Sequence, residues 1–224
     1  MTGLTAAVGG STRHRVVIAL CIVPITLMVV FAIRRGLIDL DTVRTGNVPD
    51  SPTDVAYAQH PWLAYAHILP AMVYLVGAPL QLAARVRTRH YALHRRLGRV
   101  ILAAGLVSGV WAVVLGIAYP VGGRAEASAS LVFGLWFLTC LVRAFLAIRG
   151  GDPATHRRWM IRAFVVAIGV GTIRVWLLLL WGSGLLDIRT AFGVSFWLAF
   201  VIHAAVAEWW VRTSPPPVDA VPAP

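Results

Sequence analysis

Lysine is missing from this chain. All 20 basic residues are arginine, and there are only nine acidic residues, so the formal net charge is +11. A charge of this size is found in proteins that bind nucleic acids, but such binding needs a basic surface on a soluble domain. Here the arginines stand beside long apolar runs. We therefore expect no nucleic-acid partner and interpret the arginines as signals of membrane topology.

Charged residues and cysteines are scarce as well. Charged residues make up 13% of the chain and hydrophobic residues 58%, which exceeds the roughly 45–50% apolar share of soluble domains. The two cysteines, Cys21 and Cys140, each lie inside an apolar run, which excludes an extramembrane disulfide framework and a Cys-x-x-Cys site. Histidines and acids are too sparse around any span to predict a metal site. The composition indicates an integral membrane protein.

Six apolar runs approach the length of about 20 residues that a helix needs to cross a hydrocarbon layer about 30 Å thick. The predicted spans are 16–33, 62–84, 97–119, 129–148, 160–181 and 191–211. We therefore predict an all-α integral membrane helical bundle in one domain, residues 16–211. Residues 1–15 are predicted to form the N-terminal segment, and the proline-rich residues 212–224 a disordered tail.

The arginines are unevenly divided between the two ends of these spans. Most of them lie on the side that holds both termini, the loop between spans two and three and the loop between spans four and five. The other side has fewer arginines, diluted by most of the acids. The positive-inside rule then places both termini in the cytoplasm.

Two His-Arg-Arg triplets, residues 94–96 and 156–158, each precede an apolar run. They predict an internal parallel repeat of two helical hairpins, unlike the inverted repeats common in secondary transporters. A catalytic role would need a nucleophile or carboxylate beside them. We interpret the triplets and two following arginines as structural anchors that also contact phosphates of anionic lipids. These anchors are His94, Arg95, Arg96, Arg99, His156, Arg157, Arg158 and Arg162.

Arg174 is the most costly residue of the spans, since a central arginine costs roughly 2.5–3.5 kcal/mol in membrane insertion. No carboxylate lies within a predicted span at its depth, so its partners are backbone carbonyls, water, a histidine or a bound anion. The alternative is that it snorkels to the interface. His67 lies at a similar depth, and His60 shares its helical face if the helix continues through Pro61. We predict an outer-half His/Arg cluster, although His67 can also serve a helix–helix hydrogen bond.

His203 lies deeper, in the last span, and is a further ligand candidate. The candidates are therefore His67, Arg174, His60 and His203. Two intramembrane histidines raise the possibility of haem b, as in four-helix transmembrane cytochromes. However, His67 and His203 differ in depth by about seven residues, or roughly 10 Å. Near the cytoplasmic end, Glu208 and Arg212 have the spacing of a helical ion pair.

Small residues on spans three and five fall on stripes that favour close helix packing. Gly105-x-x-x-Gly109 is the small-x-x-x-small pattern, and Ala163, Ala167 and Gly171 form a similar stripe. We interpret both stripes as packing surfaces.

Taken together, these motifs resemble one known family. The relevant positions are His67, Gly77, Pro79, Gln81, the segment His94-Arg95-Arg96-Leu97-Gly98-Arg99, the segment His156-Arg157-Arg158-Trp159-Met160-Ile161-Arg162, and Arg174. Over residues 60–181 the chain resembles the bacterial membrane-protein family known as domain of unknown function 2306. The resemblance implies a multi-pass membrane protein and adds weight to these histidines and Arg174, but it supplies no substrate.

We therefore expect a protein of the bacterial inner membrane that is not an enzyme and that binds or passes a small molecule or lipid through His67 and Arg174. The alternative is a haem b-binding redox protein. A lipid-modifying enzyme that uses the cytoplasmic arginines is a third hypothesis.

Overall fold

The structure is a computed structural model that describes residues 3–47, 57–82, 86 and 89–214, with side chains from Cys21 onward, apart from that of Leu82. Most of the predicted tail, residues 215–224, lies outside the described residues. The described chain forms six long helices and no strand. They are α1 (Gly3–Thr45), α2 (Pro61–Leu82), α3 (Tyr91–Ala118), α4 (Gly123–Arg149), α5 (Pro153–Leu180) and α6 (Ile188–Thr213).

All six helices are long and apolar enough to cross a membrane. The predicted all-α membrane bundle is therefore confirmed, whereas the internal repeat stays a prediction. The two triplets do share one register, because His94 is the fourth residue of α3 and His156 the fourth of α5. Each triplet thus lies inside the start of its helix and not before it.

The helices extend beyond the apolar runs that predicted them. The predicted fourth span starts at residue 129, but α4 begins at Gly123 and includes Glu126. Likewise, α1 continues to Thr45, so Arg35 and Asp39 are helical and not part of an outer loop. Hydropathy marks the apolar middle of a helix, whereas caps and turns determine where its backbone hydrogen bonds stop.

Two aspartates cap helices in the turns. Asp152 accepts a hydrogen bond from the Thr155 amide at 2.9 Å, ahead of Pro153 at the first position of α5. Asp187 accepts from the Arg189 and Thr190 amides at 3.0 and 3.1 Å at the start of α6. The hydrogen bond from the Thr155 backbone lowers the pKa of the Asp152 carboxyl, and hydrogen bonds from Thr190 lower that of Asp187.

Helix α5 lies in the middle of the bundle, where it packs against α6, α4 and α1, while α2 packs mainly against α3. One buried cluster, which includes Tyr74, Leu141 and Phe164, joins α2, α3, α4 and α5. A second, which includes Phe133 and Phe200, joins α4, α5 and α6. The two clusters connect the five helices from α2 to α6, and α1 packs against the side of α5.

Glycines permit the closest helix contacts. A methyl group on Gly105 would lie 2.7 Å from Cδ2 of Tyr74, and one on Gly171 would lie 2.5 Å from the Pro24 carbonyl oxygen of α1. Gly109 is similarly close to Leu138, at 2.8 Å. These contacts support the packing interpretation of the small-residue stripes.

The outer surface of the bundle is apolar. Large hydrophobic side chains are exposed on all six helices, including Val43 at 83% and Leu178 at 69%. Exposed apolar area of this extent is incompatible with water and is typical of a surface that contacts lipid. A lipid bilayer is therefore the environment of these helices.

Candidate functional site

A cavity of about 310 Å³ lies between the helices, and all six contribute to its wall. An engineered cavity of about 150 Å³ admits benzene, so this one has room for about two such groups. Its wall is largely apolar and rich in phenylalanine, with Phe31 from α1, Phe133 and Phe137 from α4, and Phe192, Phe196 and Phe200 from α6. Apolar walls with a few polar groups are typical of ligand sites.

The cavity extends from the middle of the bundle toward one end, defined here as the upper end and formed by the turns 119–122 and 181–187. Tyr57, Tyr119 and Val121 line it near that end. None of the eight predicted anchors, which lie toward the opposite, lower end, is among its described lining residues. The upper end is the one that the arginine distribution predicts to be outside the cell, and this orientation remains a prediction.

Arg174 lies in the cavity wall, six residues before the end of α5, or about 9 Å along the helix axis. Its Nη1 donates a hydrogen bond to the Val170 carbonyl at 3.3 Å. The guanidinium carbon lies 4.2 Å from the centre of the Phe31 ring on α1. No carboxylate of the described residues forms a salt bridge with it. Of its five N–H donors, most therefore have no described protein acceptor.

His67 on α2 also lines the cavity. Its Nδ1 lies 2.9 Å from the Ser108 carbonyl oxygen and 3.0 Å from the Ser108 hydroxyl on α3. One nitrogen cannot both donate to the carbonyl and accept from the hydroxyl, so the tautomer decides which bond forms. The helix–helix hydrogen bond that we considered for this histidine is therefore present. Its Nε2 has no hydrogen-bond partner among the described residues.

Glu126 is a site residue that the sequence analysis missed. Its side chain is 7% exposed, lines the cavity, and accepts a hydrogen bond from the Gly122 amide at 2.6 Å. It shares the cavity wall with Arg174. The inference that no carboxylate reaches the depth of Arg174 was wrong, because it rested on a span that began at residue 129. A Gly-Gly turn followed by a glutamate resembles the glutamate half of a capping box. This pattern could have indicated that α4 begins before residue 129.

The other two ligand candidates lie outside the cavity lining. His60 precedes Pro61, the first residue of α2, so it does not share a helical face with His67. Its ring centre lies 4.1 Å from that of Tyr119. His203 bonds through Nδ1 to the Ala199 carbonyl of its own helix at 2.8 Å and packs against Gly169.

The positions of these histidines bear on the haem b hypothesis. A haem held by two histidines needs both rings to face the same space. His67 is the only histidine among the described residues that line the cavity. Among the described side chains, which begin at Cys21, no group of three or more histidine, cysteine, aspartate or glutamate residues could hold a metal ion.

A second buried polar cluster, also missed, joins α1 to α2. Arg35 has no exposed surface and forms an ion pair with Asp39, with its Nε 2.9 Å from Oδ2. The Tyr65 hydroxyl donates to the same oxygen at 2.7 Å. The Arg35 guanidinium carbon also lies 5.6 Å from the ring centre of Tyr57, which lines the cavity. This cluster fixes α1 beside the upper part of the cavity.

At the lower end, two anchors make contacts that secure α4, α5 and α6. His156 Nδ1 donates to the Ala144 carbonyl of α4 at 2.9 Å. Arg162 Nε donates to Glu208 at 2.9 Å, and Arg212 Nε donates to the same carboxylate at 2.8 Å. The predicted pairing of Glu208 with Arg212 is confirmed, and Arg162 shares it. Contact of the anchors with lipid phosphates stays a prediction.

Residues 64–211 match the family described as predicted membrane protein, domain of unknown function 2306. Because the match covers well over half of the chain, the protein belongs to this family, and the predicted resemblance is confirmed. The matched region includes His67, Glu126 and Arg174 but not Arg35. No curated protein and no solved structure matches the chain.

Proposed function

Starting from its membership of this membrane-protein family, we propose that the chain binds a small amphipathic molecule in the cavity and holds or passes it within the membrane without altering it. One observation carries the proposal. Arg174 places a permanent charge in the wall of an otherwise largely apolar cavity, with no described carboxylate within 4 Å. Burying such a charge is costly, and a bound molecule with oxygen acceptors would offset that cost.

The polar groups around Arg174 support binding better than catalysis. The contact between Ser108 Oγ and His67 Nδ1, at 3.0 Å, has the length expected for a nucleophile and its base. However, the same nitrogen lies 2.9 Å from the Ser108 carbonyl oxygen, and no third described group hydrogen-bonds to the ring to orient it. These contacts connect α2 to α3, which favours a structural role for His67 and Ser108.

The haem-binding alternative receives less support from the geometry. An axial pair would have to include His67, which lines the cavity, and a second histidine from outside its described lining. His203 would first have to give up its bond to the Ala199 carbonyl and move past Gly169. A single histidine and an arginine fit an acceptor-bearing molecule more directly.

The test is to identify what copurifies with the protein. The wild type and two variants, Arg174→Gln and Arg212→Gln, would be purified from native membranes into lipid nanodiscs and extracted for mass spectrometry. The side chain of Arg212 is 75% exposed, so its variant is the matched control. We expect one compound enriched with the wild type and Arg212→Gln and reduced about tenfold or more with Arg174→Gln, since a hydrogen bond to a charged group contributes about 1.5–3 kcal/mol.

The proposal also requires that the compound be recovered unchanged. If no compound is enriched over nanodiscs that carry an unrelated membrane protein, or if Arg174→Gln retains the full amount, the proposal is wrong. Conversion of the extracted compound by purified protein would replace it with the enzymatic hypothesis.

A further inference from the structure

The cavity also carries information on the chemical class of its occupant. We infer that the bound molecule is an amphiphile with a singly charged oxyanion head group, which Arg174 binds, and an apolar body that lies among the phenylalanines of α4 and α6. This inference rests on the proposed function, because it assumes that the cavity is occupied.

Two residues with hydrogen-bond donors, Arg174 and His67, line the cavity. The Arg174 guanidinium is planar, and only its Nη1 has a described acceptor, the Val170 carbonyl. A carboxylate or a phosphodiester presents two oxygens that match such a fork. His67 Nε2, without a described partner, supplies a further donor when Nδ1 accepts from Ser108. The wall therefore offers donors for an oxyanion, and the positive charge of Arg174 repels an ammonium group placed beside it.

The acidic side chain of Glu126 in the same wall favours a head group with a single negative charge. Glu126 lines the same cavity as Arg174, and its carboxyl group is held by the Gly122 amide at 2.6 Å. A doubly charged head group would bring a second uncompensated charge into an environment of low dielectric constant, where like charges repel strongly. Carboxylates therefore fit better than phosphate monoesters.

The apolar body has a defined place on the α6 side of the cavity. Phe196 lies 5.5 Å from Phe192 and 5.8 Å from Phe200, measured between ring centres. Phe133 of α4 lies 5.2 Å from Phe200, so four rings form a continuous wall. Because the cavity holds about two benzene-sized groups, an alkyl chain of about eight carbons is a suitable probe.

Four photoreactive probes with the same diazirine-bearing octyl chain test the inference. They are octanoate, octyl phosphate, octanol and octylamine, each incubated with the protein in nanodiscs of zwitterionic lipid. After irradiation, mass spectrometry of peptides measures labelling of α4 and α6. We expect octanoate to label these peptides about tenfold more than octylamine and severalfold more than octanol or octyl phosphate.

The variants separate charge recognition from cavity binding. In the Arg174→Gln variant, octanoate and octanol should label the α4 and α6 peptides equally, and labelling by octanol should stay at the wild-type level. Arg212→Gln should behave as the wild type does. Glu126→Gln removes the acidic group from the wall and should raise octyl phosphate labelling toward that of octanoate. If Arg174→Gln does not fold, Arg174→Lys replaces it and should retain the preference for anions but reduce octanoate labelling.

The outcomes distinguish this inference from the proposed function. If octanol labels the cavity peptides as strongly as octanoate in the wild type, the cavity binds amphiphiles but the charge inference is overturned. If octyl phosphate exceeds octanoate, the single-charge limit is wrong. If no probe labels these peptides above the lipid-facing ones, the proposed function fails as well.

Discussion

The guanidinium carbon of Arg174 lies 4.2 Å from the centre of the Phe31 ring, and this contact joins α5 to α1 inside the cavity wall. A cation over an aromatic ring gains about 0.5–2 kcal/mol, with the larger values where water is excluded. Because α1 packs mainly against α5, the contact also helps to hold the first helix on the bundle. The same ring thus orients the charge and closes one side of the cavity.

Replacing Phe31 with leucine should therefore affect both stability and binding. We expect Phe31→Leu to lose about 1–2 kcal/mol of stability, from the cation–π contact and the smaller side chain. Octanoate labelling should fall severalfold because the guanidinium is less well oriented. Thermal unfolding followed by tryptophan fluorescence measures the first effect. Phe145→Leu is the matched control, because Phe145 is 39% exposed and meets Arg149 at 5.9 Å on the surface; an equal loss there would contradict the prediction.

The ion pair between Arg35 and Asp39 should be essential for the position of α1. Asp39→Asn removes a largely buried negative charge that pairs with the fully buried Arg35, and we expect it to cost about 3 kcal/mol. Tyr65→Phe removes only one hydrogen bond to this carboxylate and should cost about 1–2 kcal/mol. Unfolding measurements in detergent should rank the two in that order. Asp41→Asn, at an exposed position of α1, serves as control and should stay near the wild type.

The approach of α1 to α5 depends on Gly171. A methyl group there would lie 2.5 Å from the Pro24 carbonyl oxygen and 2.8 Å from its Cα, and backbone atoms cannot rotate away. Gly171→Ala should therefore destabilise the protein by about 1–3 kcal/mol. Gly36→Ala adds the same group where nothing lies within 4 Å, and should be neutral or slightly stabilising because alanine favours helix. Equal melting temperatures for the two variants would refute this account.

The cap at Asp187 should make the stability of α6 depend on pH. Hydrogen bonds from Thr190 lower the pKa of this carboxyl in the folded protein below its value in the unfolded chain. A depressed pKa adds stability above the unfolded-state value of about 3.9, and this stability is lost as the pH falls through the lower folded-state pKa. Asp187→Ala should therefore melt below the wild type at pH 7, and the gap should narrow below about pH 4. If the difference in melting temperature does not change with pH, the charge of Asp187 does not contribute to stability.

Six helices were predictable because each needs a run of apolar residues to cross lipid, and such runs are visible without any tertiary information. His67 and Arg174 were predictable as a pair for a related reason, since polar residues inside such runs are rare and lie at countable depths. The ends of the helices were not. Arg35 follows an apolar run and Glu126 precedes one. Both therefore look like loop residues until the turns and caps are known.

The fate of each histidine depended on packing. His203, like His67, lies inside an apolar run, and His60 lies just before one, but His203 bonds to its own helix and His60 packs against Tyr119. Successive side chains of a helix point about 100° apart, and an apolar run does not determine which of them faces the interior of the bundle. The tertiary contacts, including the close approaches at Gly105 and Gly171, determine which face of α3 and α5 points inward.

By itself, the sequence determined that this protein lies in a membrane, how many helices cross it, and at what depth its rare polar residues stand, because these properties follow from the length and polarity of continuous segments. Only the tertiary structure decided that Glu126 lines the same cavity as Arg174, that Phe31 covers the guanidinium of Arg174, and that His203 stays outside the cavity lining. These relationships join residues far apart in the chain. They are determined by how helices rotate and pack against one another.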